Sequence, residues 1–284
     1  MLFDAGAKRF LKKTTWQEIG AFRQVLREQT YDFVIDAQGL LKSAWVSALA
    51  RGKSAGFHFS SAREPLSALF YRQKYVVDKK QHAIYRARQL FQKILNYSLL
   101  TDIPDYGLDR CQFQLIDEKT TRPYLVFLHG TTWETKHWPE PYWIELAKKV
   151  VSAGYLIKLP WGNEEEKARA LRIAAGSLQI EILPKLDLKN MAAVLAGAVF
   201  VVAVDTGLGH LAAALNVPMI SLYGSTNPLL TGALGKSQQH MAAQFSCAPC
   251  LNRQCTFVDR AKYRIDPPCF TTILPEMVFE RIVT

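Results

Sequence analysis

From Tyr124 to Tyr223 short apolar runs alternate with segments of helical spacing, and a chain patterned this way has few ways to fold. Tyr124 to Leu128 reads as a strand, Pro141 to Ser152 as a helix opening on proline, and Tyr155 to Leu159 as a strand again. The rhythm continues through a charged helix from Glu164 to Ala175, a strand from Leu178 to Leu183 and a helix from Leu188 to Ala198. A strand from Phe200 to Val204, a helix from Leu208 to Leu215 and a strand from Pro218 to Tyr223 complete it. Strands separated by helices pair in parallel. The pattern therefore predicts an α/β, doubly wound sheet with its ligand at the carboxyl ends of the strands.

Upstream the same alternation is fainter. Trp16 to Gln29 has amphipathic helical spacing, Tyr31 to Asp36 reads as a buried strand, Leu40 to Leu49 as a helix, and Ala83 to Tyr97 as a long helix. The stretch from Ser98 to Arg122 loses periodicity, carries Pro104 and Gly107, and ends at Pro123, which is the composition of a linker. At 284 residues and 49% hydrophobic content the chain can bury two ordinary cores. The expected organisation is thus an N-terminal domain over 1–108 and a C-terminal domain over 122–284. A doubly wound domain usually opens on a strand, yet the first convincing strand here is Tyr31 to Asp36, so the N-terminal domain reads as incomplete at its start. Leu274 to Ile282 is expected to be a helix that crosses back onto the N-terminal domain.

A formal charge of +10 attracts polyanions without choosing among nucleic acid, anionic lipid and phosphorylated sugars. No recognised nucleic-acid module or aromatic interleaving accompanies the charge, so nucleic acid is not an expected partner. No apolar run approaches the roughly 20 residues of a spanning helix. The segment Met1-Leu2-Phe3-Asp4-Ala5 lacks the apolar core of a secretory signal, which predicts a cytoplasmic protein. Four of the five cysteines crowd into one tract. Cys247, Cys250, Cys255 and Cys269 have the ligand type of a zinc site, but their second pair is irregularly spaced, and free thiols or an occasional disulfide are the alternative.

The chemistry concentrates at strand ends. The run Phe200 to Asp205 followed by Thr206-Gly207-Leu208-Gly209-His210 puts a small-residue turn between a strand and a helix whose free N–H groups and partial charge suit a phosphate. Asp205 or Thr206 can cap that helix, and His210 falls in its first turn. The plainer alternative is an ordinary capped helix. After the next strand comes a second glycine turn, Tyr223-Gly224-Ser225-Thr226-Asn227-Pro228. Earlier, Tyr124 to Leu128 runs into His129-Gly130-Thr131-Thr132, with Lys136, His137 and Trp138 close behind. Two hydroxyls and an ammonium beside a strand end suit a diphosphate, while Trp138 reads as core. Three strand ends thus converge on one anion.

The Asp205 to His210 block, Gly130-Thr131-Thr132 with Lys136-His137-Trp138-Pro139-Glu140, Leu159-Pro160-Trp161-Gly162, and Asp36-Ala37-Gln38-Gly39-Leu40 with Lys42-Ser43 resemble the ADP-heptose lipopolysaccharide heptosyltransferases of glycosyltransferase family 9, and most closely their heptosyltransferase I branch. The likeness covers nearly the whole chain. It implies a GT-B fold, two Rossmann-like domains facing a cleft, and inverting transfer of L-glycero-D-manno-heptose from ADP-heptose to Kdo of the lipopolysaccharide inner core. It implies neither metal nor other cofactor, Kdo-lipid A as acceptor, and a peripheral place on the cytoplasmic face of the inner membrane. By the same resemblance Thr131, Thr132, Lys136, Asp205, Thr206, Gly207 and His210 would hold the donor and Glu166 its ribose, although Glu164-Glu165-Glu166 also reads as a solvated acidic helix start. Arg63, with Lys42 and Arg9 beside it, would take the acceptor's carboxylates and phosphates.

The implied reaction is attack of an acceptor hydroxyl on the anomeric carbon as ADP leaves, with Lys136 and the helix N-terminus at Gly207 stabilising the charge on the departing phosphate. The family's base is an aspartate in a Gly-Asp turn after the first strand. That strand and turn have no counterpart in this sequence, and Asp4 follows neither strand nor glycine. No catalytic base is assigned. Heptosyltransferase II, another transferase of the family, and a non-catalytic nucleotide-sugar-binding remnant stand as alternatives.

Overall fold

A computed structural model describes residues 13–98, 104–113 and 122–284, with the side chains of 13–16 set aside. The chain divides into two compact units, Met1–Asp102 and Ile103–Thr284.

The first unit is built on three parallel strands in the order β1 (Thr30–Asp36), β2 (Arg51–Phe57) and β3 (Gln73–Tyr75). Helices α1 (Lys13–Leu26), α2 (Leu41–Leu49) and α3 (Ala83–Leu95) accompany them. Sequence patterning found β1 but neither β2 nor β3. The run Arg51-Gly52-Lys53-Ser54-Ala55-Gly56-Phe57 is poor in the branched residues that mark strands. Its small residues have a packing reason: a Cβ on Gly56 would sit 2.5 Å from the Tyr71 ring. Asp36, at the end of β1 and 5% exposed, gathers the following loop by accepting from Gln38 N at 2.8 Å, Ser43 Oγ at 2.8 Å and Tyr71 Oη at 2.6 Å. That bond and burial raise the Tyr71 phenol well above its ordinary range, burial being the larger cause.

The second unit carries a six-stranded, all-parallel sheet. Its strands are β4 (Tyr124–Leu128), β5 (Leu156–Leu159), β6 (Ile180–Ile182), β7 (Phe200–Val204), β8 (Met219–Tyr223) and β9 (Gln238–Ala242), in the spatial order β6-β5-β4-β7-β8-β9. Helices α4 (Glu140–Ser152), α5 (Glu164–Ala174), α6 (Leu188–Gly197), α7 (Gly207–Ala214), α8 (Pro228–Thr231) and α9 (Pro275–Val283) complete it. Side chains alternate between two cores: Leu125, Phe127, Val202 and Val204 pack with α4 and α5 residues such as Trp143 and Ile173, while Val126, Leu128, Val201 and Ala203 pack with Leu195 and Ala212 of α6 and α7. Both faces are covered, which is why these strands read as continuous apolar runs. Trp138 is core as expected, 1% exposed, with Nε1 donating to the Ile273 carbonyl at 3.0 Å.

Residues 104–113, read as linker, belong to the second unit: Arg110 donates from Nε to the Ala196 carbonyl at 2.6 Å and from Nη2 to that of Ala198 at 2.7 Å, and Tyr106 Oη donates to the Leu234 carbonyl at 3.0 Å. The guanidinium satisfies carbonyls that the end of α6 leaves open. The final helix is formed over Pro275–Val283, close to its sequence reading. α9 packs on α4 of its own unit, burying Val278 completely in that unit's core and pairing Glu276 with Lys149 Nζ at 2.8 Å.

Candidate active site

The strand order reverses between β4 and β7, and a doubly wound sheet opens a crevice where that happens. The loops after β4, β7 and β8 meet there. Thr131 Oγ1 donates to the Asp205 carbonyl at 3.0 Å. Lys136 Nζ stands 2.8 Å from Asp205 Oδ2, and Thr226 Oγ1 donates to the same oxygen at 2.7 Å. Thr135, buried, donates to Ser225 Oγ at 3.0 Å and joins the first loop to the third. A carboxylate as buried as that of Asp205, 9% exposed, is tolerated because both a cation and a hydroxyl satisfy it.

Asp205 consequently does not cap α7. Thr206 occupies the N-cap and makes no side-chain cap bond, so the first turn keeps unspent N–H donors. A Cβ added to Gly207 would meet nothing within 4 Å, which leaves open space over that turn. His210 lies in the first turn; burial lowers its pKa, Asp205 opposes the shift, and His240 and Lys136 add to it. Thr132 is exposed beside Thr131. The Lys136 ammonium sits 4.5 Å from the centre of the Trp133 ring, which narrows its freedom.

Against this turn lies a pocket of about 220 Å³ with Pro160, Trp161, Leu186, Met191 and Leu208 among its apolar walls and Thr206 and Glu166 on its polar side. Glu166 is held in place. Its Oε2 accepts from Gly162 N at 2.7 Å, and its own N–H is taken by Asn163 Oδ1, the cap of α5, at 2.9 Å. A Cβ on Gly130 would stand 2.7 Å from the Glu166 carboxyl, so a larger residue in the first loop would push the carboxylate away. Behind the wall, His129 is wholly buried and His137 partly so; burial, with Arg169 next, pushes each ring down to about 4. Arg169 hydrogen-bonds the His137 ring and reaches the His129 carbonyl at 3.4 Å. Both rings are neutral at pH 7.

The crevice therefore gathers Thr131, Lys136, Asp205, Thr206 and His210, with Glu166 on the adjoining wall. Sequence reasoning quoted the turns containing Thr226 and Leu208 without giving either residue a part in the site, and it passed over Arg169, Leu186 and Met191. The glycine turns around Thr226 and Leu208 offered a signal; Arg169, Leu186 and Met191 look like ordinary helix and loop residues.

In the first unit Lys42 is exposed in the first turn of α2, just after the loop that leaves β1, and Arg63 is exposed on the loop that leaves β2. These loops touch: Glu64 Oε2 accepts from Leu41 N at 2.6 Å, Glu64 N donates to the Gly39 carbonyl at 2.9 Å, and Gly39, at φ 64°, would bring a Cβ to 3.2 Å from Arg63 N. The two cations thus stand on neighbouring segments. Arg9 lies outside the described residues. Among the described residues no three His, Cys, Asp or Glu side chains come together to hold a metal, so the candidate set Cys247, Cys250, Cys255 and Cys269 finds no such arrangement. These cysteines are unbridged thiols, and Cys269, packed under Gly224, is raised to about 12, by burial above all.

The profile of glycosyltransferase family 9 (heptosyltransferase) matches residues 19–260. Lipopolysaccharide heptosyltransferase 1 of Pseudomonas aeruginosa is 52% identical over 96% of this chain and 80% of its own length, and that of Escherichia coli K12 is 50% identical over 77% of this chain and 68% of its own. The solved structure of E. coli heptosyltransferase WaaC with ADP superposes with a TM-score of 0.76 at 46% identity, covering 83% of this chain and 74% of WaaC. Together with the α/β parallel sheets, these likenesses give the chain the GT-B class of fold. The chain belongs to glycosyltransferase family 9, the heptosyltransferase family.

Proposed function

We propose that this glycosyltransferase moves L-glycero-D-manno-heptose from ADP-heptose to Kdo of the lipopolysaccharide inner core. The observation that carries the reading is Lys136, fixed by Asp205 and facing an uncapped helix N-terminus at the switch point of the sheet. Adenosine fits the apolar pocket, where Leu186, Met191 and Leu208 take the base and the Glu166 carboxylate accepts from the ribose hydroxyls. The diphosphate then lies across Thr131, Thr132 and the first turn of α7, over the open space at Gly207. His210, neutral and in that turn, is placed to bond a phosphate or sugar oxygen.

As the acceptor hydroxyl attacks the anomeric carbon it gives its proton to a general base, a role to which no described residue is assigned, while the glycosidic C–O bond to phosphate breaks and negative charge grows on the leaving oxygens. Lys136 and the N–H donors of α7 are already in position for that charge, so they favour the transition state over the ground state. Arg63 and Lys42, on adjoining segments of the first unit, have the chemistry for the acceptor's carboxylates and phosphates, and a lipid-anchored acceptor would keep the protein at the inner membrane surface. The test is release of ADP from ADP-heptose on addition of Kdo-lipid A. Turnover with that acceptor supports the assignment, and preference for an already heptosylated acceptor points to heptosyltransferase II. Calorimetric ADP binding with no turnover on either acceptor identifies a nucleotide-sugar-binding remnant.

A further inference from the structure

In the first unit the 3₁₀ helix Pro65–Phe70 has one face packed and one bare. Ser67 and Ala68 are fully buried, Ala68 against Ala44 of α2, whereas Leu66 and Leu69 are 59% and 66% exposed. With three residues per turn, positions 66 and 69 eclipse, so the two leucines form a single ridge. Leu41, 41% exposed, stands beside its start, because its N–H is bonded to Glu64 Oε2. Cations bracket the ridge. Arg63 precedes the helix, Arg72 follows it, Lys42 adjoins Leu41, and Arg72 shares a surface depression with Arg27, Arg51 and Lys53. Of the nearby acids, Glu64 is engaged with the Leu41 N–H, and Asp32 is the acid lining that depression.

We propose that the helix Pro65–Phe70 is a membrane-docking element, which sinks Leu66 and Leu69 between the lipids of an anionic bilayer while Arg72, with Arg51 and Lys53 beside it, meets the lipid phosphates. A protein partner is a poorer match, since a ridge of three leucines falls well short of the roughly 1,000 Å² that a stable interface buries. A few apolar side chains ringed by basic ones is instead the composition of an interfacial anchor, in which burial and electrostatic attraction add. The basic stems can lie along the ridge with their charges in the headgroup layer. The inference gives the acceptor reading a physical setting and rests on it only for purpose, since docking itself requires no substrate.

The measurement is co-sedimentation of the full chain with vesicles of phosphatidylethanolamine and phosphatidylglycerol, and with neutral phosphatidylcholine vesicles. Wild type is expected to partition onto the anionic vesicles and to be released by high salt. Leu66→Gln with Leu69→Gln should lower partitioning about tenfold or more, and Arg72→Gln about fivefold on anionic vesicles alone. Circular dichroism should be unchanged, because the substituted side chains are exposed. In the activity arm, the double variant should match wild type on a deacylated, soluble Kdo acceptor and lag on one embedded in vesicles. Equal partitioning of the double variant and wild type, or equal affinity of wild type for neutral vesicles, overturns the proposal. So does a wild-type dimer that ignores vesicles and becomes monomeric in the double variant, which would make the ridge an interface between copies. Vesicle binding that persists while wild type turns over neither acceptor would defeat the assigned activity and leave the docking element standing.

Discussion

A single carboxylate organises the crevice. Asp205 takes Lys136 and Thr226 on one oxygen while its main-chain carbonyl takes Thr131, so loops from distant parts of the sequence are fixed by one residue. Lys136→Ala should remove charge stabilisation that is realised mainly in the transition state, lowering kcat by about 10²-fold with a smaller change in KM, as steady-state ADP release would read. EDTA should leave the wild-type rate unchanged, because the cationic groups that face the leaving phosphate belong to the protein. The buried histidines make a second prediction. His129 and His137 are depressed to about 4 in the folded chain against about 6.5 unfolded, so between those values the unfolded state binds more protons. Stability is then complete above pH 6.5 and falls as pH drops toward 4, with Arg169 resisting protonation and Glu140 and Glu165 favouring it. Urea midpoints at pH 7.5, 6 and 5 should show this decline, and His129→Asn should flatten it. The sequence displayed Asp205, Lys136 and the threonines because their turns are marked by glycine; Arg169 stayed hidden because a cation in a charged helix carries no local sign of what it will touch.

Among the elements, those buried on both faces were the most legible. β4, β7 and β8 are short unbroken apolar runs and fall within a residue or so of their sequence readings, whereas the edge strand β9, Gln238 to Ala242, is too polar to be noticed. β2 escaped for a different reason. Its glycines answer to the Tyr71 ring and to the backbone of β1 rather than to any strand preference, and such a tertiary demand is invisible locally. The last helix was recognised as a helix, but apolar spacing says that a face is buried and not against what, so its packing on α4 could not be read from the sequence. Its energetics are testable. Val278 is wholly buried, and Val278→Ala should cost about 1–3 kcal/mol in urea unfolding, whereas Glu276→Gln, which breaks an exposed pair with Lys149, should shift the midpoint barely measurably.

For the molecule as a whole, the described contacts divide the work: every residue proposed for the donor lies in Ile103–Thr284, and the described acceptor candidates lie in Met1–Asp102. Substitutions in the two units should therefore separate cleanly in binding and kinetics. Arg63 offers charge-assisted hydrogen bonds, each worth about 1.5–3 kcal/mol when made to an ionised partner, so Arg63→Ala should raise the acceptor KM by about 10- to 100-fold. Because the donor pocket is assembled within the other unit, calorimetric affinity for ADP should remain within about twofold of wild type. Gly207→Val should do the opposite. Its Cβ would enter the open space over the first turn of α7, where nothing lies within 4 Å, so the fold should tolerate the change while ADP affinity drops about tenfold or more. A Gly207→Val chain that binds ADP normally would mean that the diphosphate does not use that turn, and an Arg63→Ala chain that loses ADP binding would mean that the first unit helps to build the donor pocket.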